Sequence, residues 1–197
     1  MKKLIFATNN QHKLHEVKLI LADLYEVVGM AEAGFTDDIP ENEPTLEGNA
    51  RLKARYIHSR TNENVFADDT GLEIAALNGE PGVYSARYAG PGKQSEDNLQ
   101  LVLTKMKNIT ARNAQFRTAI CLVLNNREYL FEGIVKGTIL HQKEGMAGFG
   151  YDPIFQPEGF SQSFAQMPLS VKNQISHRGL AIQQMTEFLK NLPKIGQ

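Results

Sequence analysis

Residues 4–21 read LIFATNNQHKLHEVKLIL, a stretch in which an apolar run, a small polar segment and a helical pattern follow one another. The apolar run covers residues 4–7, and Thr8, Asn9 and Asn10 end it. Apolar side chains then recur at the spacing of a helix face, at Leu14, Val17, Ile20, Leu21 and Leu24. The stretch therefore predicts a strand, a turn and a helix.

Three further helices are predicted from caps and apolar spacing. One begins near Thr45, and its basic residue Lys53 is expected to lie away from the apolar face. Ser95, followed by two acids, is expected to cap the next helix. The last covers residues 180–192 and is expected to end at Pro193.

Apolar and β-branched residues predict three more strands. Residues 65–67 form a short apolar run that is expected to end at Asp68 and Asp69, because acids favour turns and disfavour strands. Residues 114–124 and 129–136 are β-rich, and the four polar residues between them predict a hairpin. Strands that alternate with helices and then give way to a hairpin predict an α/β fold with a mixed β-sheet.

The composition excludes several classes of protein. In 197 residues, 21 Lys and Arg oppose 22 Asp and Glu, so the chain has no bulk attraction for nucleic acid or for an anionic membrane. No repeat or long linker divides it, which predicts one domain over residues 1–197. The lone Cys121 excludes a disulfide framework and a multi-cysteine metal site. No apolar run is long enough for a signal peptide or a membrane span, so the expected location is the cytoplasm.

The polar turn after the first strand is a candidate phosphate site. Backbone N–H groups at a helix N-terminus favour an anion, and Lys13 in the first helical turn is disfavoured by the helix dipole unless a negative group lies nearby. An ordinary capped turn with a solvated lysine is the alternative interpretation.

Asp68 and Asp69 are a candidate metal site. Adjacent acids repel each other, and a cation or several hydrogen-bond donors explain them more easily than packing does. Oxygen ligands suit magnesium, and Glu41, from an acidic stretch, could supply another carboxylate. A solvated turn is the alternative for all three acids.

Two late segments could hold a flat ligand. Residues 145–150 contain three glycines and Phe149, whose ring offers a stacking face, while Asp152 could accept a hydrogen bond from a base. His177 and Arg178 lie next to each other before the last helix, with Lys172 a few residues earlier; these are donors for a phosphate or a carbonyl. A glycine-rich connector and a surface basic pair are the alternatives.

Several familiar site patterns are absent. A phosphate-binding P-loop would need glycine where Arg87 stands and Ser or Thr where Gln94 stands. The chain also lacks the glycine pattern of dinucleotide-binding folds, the serine elbow of hydrolases and the paired histidines of zinc proteases. The chemistry must therefore come from another constellation.

Five segments, in order along nearly the whole chain, resemble the inosine triphosphate pyrophosphatase family. They are ATNNQHK (7–13), ADDTGLE (67–73), PGVYSARYAG (81–90), GFGYDPIF (148–155) and SHRG (176–179). The resemblance implies a homodimeric, magnesium-dependent enzyme that hydrolyses dITP, ITP and XTP to the monophosphate and pyrophosphate, which keeps deaminated purines out of DNA and RNA. It also implies an elongated, two-lobed α/β fold around a long mixed β-sheet with a central nucleotide-binding cleft.

The same resemblance assigns roles to residues at matching positions. Asp69 would be the catalytic general base and a metal ligand, with Glu41 as the second metal carboxylate and Asp68 in support. Thr70 would keep a hydroxyl beside the substrate. The phosphate-contacting residues would be Thr8, Asn9, Asn10, Gln11, His12 and Lys13. The base pocket would comprise Phe149, Gly150, Tyr151, Asp152, Lys172, His177 and Arg178.

Three alternatives remain open at this point. The first is a pyrophosphatase that acts on other modified nucleoside triphosphates. The second is an aspartyl-phosphate hydrolase, although adjacent acids in an extended strand would point to opposite faces of the sheet. The third is a nucleotide sensor without catalytic activity.

Overall fold

The computed structural model describes residues 2–192, which form one mixed β-sheet flanked by helices. The strands are β1 (Lys2–Phe6), β2 (Tyr25–Gly29), β3 (Val65–Ile74), β4 (Asn113–Leu124), β5 (Arg127–Ile139) and β6 (Phe155–Pro157). The α-helices are α1 (Gln11–Leu21), α2 (Leu46–Thr61), α3 (Ser95–Lys105), α4 (Leu169–Ile175) and α5 (His177–Lys190). Short 3₁₀ helices cover Ala75–Leu77, Gly82–Arg87, Asp152–Ile154 and Phe164–Gln166.

The six strands lie in the order β2-β1-β3-β4-β5-β6. Strand β1 pairs in parallel with β2 and β3, whereas every pair from β3 to β6 is antiparallel. The α/β fold with a mixed sheet is therefore confirmed. The hairpin between β4 and β5 closes through Asn125 and Asn126, both at positive φ, a conformation that asparagine tolerates in tight turns.

Buried apolar side chains divide the interior into two halves. At the β1 end, α1 and α5 cover one face of the sheet through a cluster around Phe6 and Phe66, and α2 covers the other face around Ala54. At the far end, a separate cluster around Phe116 packs β4 against the 3₁₀ segments and α3. A cleft of about 340 Å³ is lined by residues of both halves.

The structure corrects four details of the sequence analysis. Asp68 and Asp69 do not end a strand, because β3 continues to Ile74 and pairs with β4 along its whole length. Ser95 is the first residue of α3, and its N-cap is Gln94, which makes no side-chain cap bond. Helix α5 begins at His177, three residues earlier than predicted. It ends at Lys190, and the predicted stop at Pro193 lies outside the described residues.

Strands β2 and β6 and helix α4 were not predicted. Each is short, at five, three and seven residues, so the window in which periodicity could be read is small. No helix within residues 2–192 is both long enough and apolar enough to cross a membrane.

Candidate active site

Asp68 and Asp69 sit side by side in β3 and make separate sets of contacts. Successive side chains of a strand point to opposite faces of the sheet. On one face the Asp68 carboxylate accepts from Lys13 Nζ at 3.0 Å and from Arg178 Nε at 3.1 Å. Burial alone would raise the pKa of Asp68, but the charges of Lys13 and Arg178 outweigh it and hold that pKa far below its usual value. The Asp68 carboxyl group is therefore ionised at neutral pH and pairs with both cations.

The Asp69 carboxylate faces helix α2. Asn49 Nδ2 donates to Asp69 Oδ2 at 2.9 Å, and Lys53 Nζ lies 3.6 Å from Oδ1. Asn49 and Lys53 are four residues apart, so they share one face of the helix. Burial raises the pKa of Asp69, Lys53 opposes this, and the nearby charge of Glu41 raises it further. A carboxylate with a raised pKa is a better proton acceptor than an ordinary aspartate.

The start of α2 fixes the position of this face. Thr45 caps the helix, its Oγ1 accepting from the backbone N–H of Gly48 at 3.1 Å. The side-chain oxygen of Asn49 accepts from the backbone N–H of Glu43 at 3.0 Å, which leaves its amide nitrogen directed at Asp69. The cap and the loop before it therefore orient the amide toward the carboxylate.

Glu41 and Asp69 are the two carboxylates that could hold a divalent cation. Lys53 Nζ lies between them, at 2.6 Å from Glu41 Oε1, and Arg87 Nη2 donates to the backbone oxygen of Glu41 at 2.9 Å. Within residues 2–192 no group of three or more His, Cys, Asp and Glu residues forms a metal cage. Two carboxylates nevertheless suit magnesium, which commonly binds one or two of them and completes its shell with phosphate oxygens and water. In the free protein the Lys53 ammonium contacts both carboxylates and balances part of their charge.

The polar turn before α1 caps that helix and also lines the cleft. Asn10 Oδ1 accepts from the backbone N–H groups of His12 and Lys13 at 3.0 and 3.2 Å. Thr8, Asn9, Asn10 and Lys13 line the cleft. Gln11 and His12 do not line it; both are exposed, and the His12 ring stacks on Phe149 with centroids 5.2 Å apart. Four of the six residues predicted for the phosphate turn therefore line the cleft, and a substrate contact by Gln11 or His12 stays a prediction.

A chain of alternating charges runs beneath the cleft. Arg178 Nη1 contacts Glu16 at 2.6 Å, and Lys172 Nζ contacts both Glu16 at 2.8 Å and Asp152 at 2.7 Å. Together with Lys13 and Asp68 these residues alternate in sign, and all are buried or nearly so. Buried charges are tolerated when each one is paired, so this series of ion pairs supports the cleft from below. It runs in the order Lys13, Asp68, Arg178, Glu16, Lys172 and Asp152.

The glycine-rich loop presents Phe149 to the cleft. Lys172 Nζ and the Arg178 guanidinium lie 4.9 and 5.5 Å from its ring centroid. Asp152 Oδ2 accepts from the backbone N–H of Phe149 at 2.8 Å, and a Cβ at Gly148 would overlap Asp152, so only glycine fits there. Asp152 therefore holds the loop in place.

Gly150 and Tyr151 continue the loop along the cleft wall. Gly150 has φ of 62°, a conformation that glycine adopts without strain. The Tyr151 hydroxyl donates to the backbone oxygen of Ser85 at 2.8 Å, which joins the loop to the 3₁₀ segment Gly82–Arg87. Tyr151 thus fixes the glycine-rich loop against the 3₁₀ segment at the wall of the cleft.

His177 is neutral and carries an unpaired polar atom. Its ring stacks on Phe116, with centroids 4.4 Å apart. Burial and the charges of Arg178 and Lys172 lower its pKa well below the usual value. His177 Nδ1 is the one buried side-chain nitrogen or oxygen in residues 2–192 without a hydrogen-bond partner. An unpaired polar atom beside a cleft points to a polar ligand.

Thr70 adds a hydroxyl to the cleft wall. Its Oγ1 lies 2.7 Å from Thr118 Oγ1 on β4, and Arg178 Nη2 donates to it at 3.3 Å. Thr118 is fully buried. The Thr70 hydroxyl also donates to Asp68 Oδ2 at 3.4 Å, so three side chains hold it in place.

Comparison with known proteins shows the family of this chain. The model of the Ham1 family matches residues 4–188, which is nearly the whole chain. The chain belongs to the Ham1 family. Its Ham1 relatives include a dITP/XTP pyrophosphatase of Flavobacterium psychrophilum, 49% identical over 96% of this chain and 100% of the relative. A dITP/XTP pyrophosphatase of Porphyromonas gingivalis is 50% identical over 96% of this chain and 98% of the relative.

Solved Ham1 structures share the fold. The Ham1 protein of Staphylococcus aureus superposes with a TM-score of 0.86, at 43% identity over 96% of this chain and 98% of that one. A Ham1 protein of Coxiella burnetii gives a TM-score of 0.88, at 35% identity over 98% and 100%. The resemblance read from five segments is thereby confirmed.

The sequence analysis missed four residues of this Ham1 site: Glu16, Asn49, Lys53 and Thr118. Lys53 was expected to lie away from the apolar face, yet it is buried against Glu41 and Asp69. Glu16 contacts Lys172 and Arg178, which lie 156 and 162 positions away, so no local pattern indicates its role. Asn49 and Thr118 stand in segments whose pattern gave no such signal.

Proposed function

We propose that this protein hydrolyses deaminated purine nucleoside triphosphates, namely dITP, ITP and XTP, to the nucleoside monophosphate and pyrophosphate. The reaction would keep these nucleotides out of DNA and RNA. One observation carries the proposal: a single cleft joins a carboxylate pair to an aromatic pocket surrounded by hydrogen-bond donors. The names of the relatives, dITP/XTP pyrophosphatase, support the same reaction.

Asp69 is the proposed general base. Its raised pKa suits it to accept a proton from water, and the Asn49 amide holds one of its oxygens in place. By family resemblance the water attacks the α-phosphorus, and pyrophosphate leaves. Lys53, next to Asp69 and Glu41, is positioned to offset charge on a phosphate.

Glu41 and Asp69 are the proposed ligands of a magnesium ion. When bound, that ion supplies positive charge against the phosphates and the leaving group. Thr8, Asn9, Asn10 and Lys13 are the proposed contacts of the phosphate tail, because they line the cleft at the N-terminus of α1.

The proposed base pocket selects by hydrogen-bond polarity. Lys172 and Arg178 can only donate, so they favour a ligand group that accepts, such as the 6-keto oxygen of hypoxanthine or xanthine. The 6-amino group of adenine would set donor against donor. An unmatched buried donor costs about 1–3 kcal/mol, which gives roughly 5- to 150-fold preference per contact. Phe149 supplies the stacking face.

The test is a substrate panel. Purified protein is incubated with dITP, ITP, XTP, dATP and dGTP, with magnesium or with a chelator, and pyrophosphate release is measured. We expect pyrophosphate to be released from the deaminated purine triphosphates when magnesium is present and not when it is chelated. Equal rates on all five substrates would refute the specificity, and no turnover with binding retained would favour a sensor. If the panel is extended to modified pyrimidine triphosphates, a preference for those substrates would favour the other pyrophosphatase.

The finer assignments are also proposals. By family resemblance we propose a homodimer in the cytoplasm. Leu130 and Ile134 on β5 are exposed apolar side chains that a second copy could cover. Sedimentation of the purified protein measures the oligomeric state, and a monomer at micromolar concentration would contradict the proposed dimer.

A further inference from the structure

An ion pair joins the two walls of the cleft at its rim. Lys93 Nζ lies 3.0 Å from Asp38 Oδ2. Asp38 belongs to the loop between β2 and α2, Lys93 belongs to the loop before α3, and both line the cleft. Asn9 Nδ2 donates to the backbone oxygen of Asp37 at 3.4 Å, so the Asp38 loop lies against the phosphate turn. The pair therefore bridges the cleft beside the proposed phosphate tail.

Lys93 differs from the other cations of the cleft. Lys13, Lys53, Lys172 and Arg178 are largely or fully buried, and each contacts carboxylates that are largely buried themselves. Lys93 is 46% exposed and its partner Asp38 is 77% exposed. An ion pair in water contributes little to stability, so this one can be exchanged at small cost.

The charge of Lys93 reaches the proposed metal and phosphate region. Lys93 lines the same cleft as Glu41, Lys13 and Lys53. Lys13 and Lys53 are already engaged by carboxylates, whereas a triphosphate brings several further negative charges into the cleft. A cation whose present partner is weakly held is the group best able to meet that charge.

We propose that Lys93 leaves Asp38 when substrate binds and pairs with the terminal phosphates of the nucleoside triphosphate. This inference rests on the proposed function and adds a binding residue that recognises the tail rather than the base. Asp38 then acts as a competitor: it holds Lys93 in the free protein and repels the incoming phosphates.

Because Asp38 competes with the phosphates for Lys93, substitutions of Lys93 and Asp38 should change KM in opposite directions. Lys93→Gln removes a phosphate contact, so we expect KM for ITP to rise about threefold to tenfold with kcat nearly unchanged. Asp38→Asn frees Lys93 and removes a repelling charge, so we expect KM to fall. The inhibition constant of pyrophosphate should follow KM in both variants, whereas that of inosine monophosphate should not change.

Lys143 offers a matched control. It is 43% exposed and pairs with the exposed Glu96 at 2.7 Å, but it does not line the cleft. Lys143→Gln should alter neither KM nor the pyrophosphate inhibition constant. A purely structural role for Lys93 predicts that Lys93→Gln and Asp38→Asn lower the melting temperature alike and leave KM unchanged.

The outcomes separate the inference from the proposed function. The proposed exchange of Lys93 is wrong if the unmodified protein hydrolyses ITP and Lys93→Gln has the same KM as the unmodified protein. It is also wrong if Lys93→Gln and Asp38→Asn shift KM in the same direction. In both cases the proposed function stands. If the unmodified protein hydrolyses none of the deaminated substrates, the proposed function fails and the exchange fails with it.

Discussion

Asp69 is the residue at which the chemistry of the cleft is concentrated, because one of its oxygens meets an amide and the other faces an ammonium. Replacing it with asparagine keeps the shape but removes the proton acceptor. We expect Asp69→Asn to lower kcat by about 10²- to 10⁴-fold, with the circular dichroism spectrum unchanged.

The exposed Asp23 offers a control for that substitution. Asp23→Asn should leave the rate of pyrophosphate release as it was. Unimpaired hydrolysis by Asp69→Asn would show that another group removes the proton.

At the residue scale the sequence predicted groups with obvious chemistry and missed those that depend on distant partners. Lys13, Asp68 and Arg178 do meet in the fold. Glu16 is buried because Arg178, 162 positions away, neutralises it, and no local pattern contains that information. Lys53 was misjudged for the same reason.

The elements that hold these residues depend on close packing between β5 and α5. Gly133 lies on β5 where a Cβ would overlap the backbone oxygen of His177, the first residue of α5. This approach is possible only for glycine, and it positions the helix start that carries His177 and Arg178.

Gly133→Ala should therefore destabilise the protein by about 1–3 kcal/mol through overpacking, as measured by urea denaturation. Gly92→Ala is the matched control, because Gly92 is exposed with only a side-chain atom within 4 Å. Equal midpoints for the two variants would contradict the packing argument.

At the element scale the main error concerned β3. Aspartate disfavours strands, yet β3 passes through Asp68 and Asp69 without a break because it pairs with β4 along ten residues and both charges find partners. Local preference is thus overridden by long-range pairing. The helices with apolar faces and the long hairpin were predicted, apart from the residues at their ends, because their signals are local.

The stability of the whole molecule should depend on pH through His177. Its pKa in the folded protein lies well below 6.5, whereas the unfolded chain titrates near that value. Below about pH 6.5 the unfolded state therefore binds a proton that the folded state does not. As the pH is lowered below that value, His177 should therefore decrease the free energy of unfolding, by about 1.4 kcal/mol for each pH unit.

Chemical denaturation between pH 5.5 and 7.5 measures this slope. His177→Gln cannot titrate, so its slope should be shallower than that of the unmodified protein. Identical slopes would contradict the lowered pKa of His177 in the folded protein.

Asp68 and Asp69 point to opposite sides of one strand, and the groups they contact divide in the same way. Helix α2 and Glu41 serve Asp69, whereas α1 and α5 serve Asp68 and, through it, the proposed purine pocket. Within the one cleft, the two faces of β3 thus separate the groups proposed for bond cleavage from those that support the proposed base pocket. An engineer who wished to change the accepted purine would therefore alter α5 and the Phe149 loop, and would leave Asp69, Glu41 and the phosphate turn at the start of α1 unchanged.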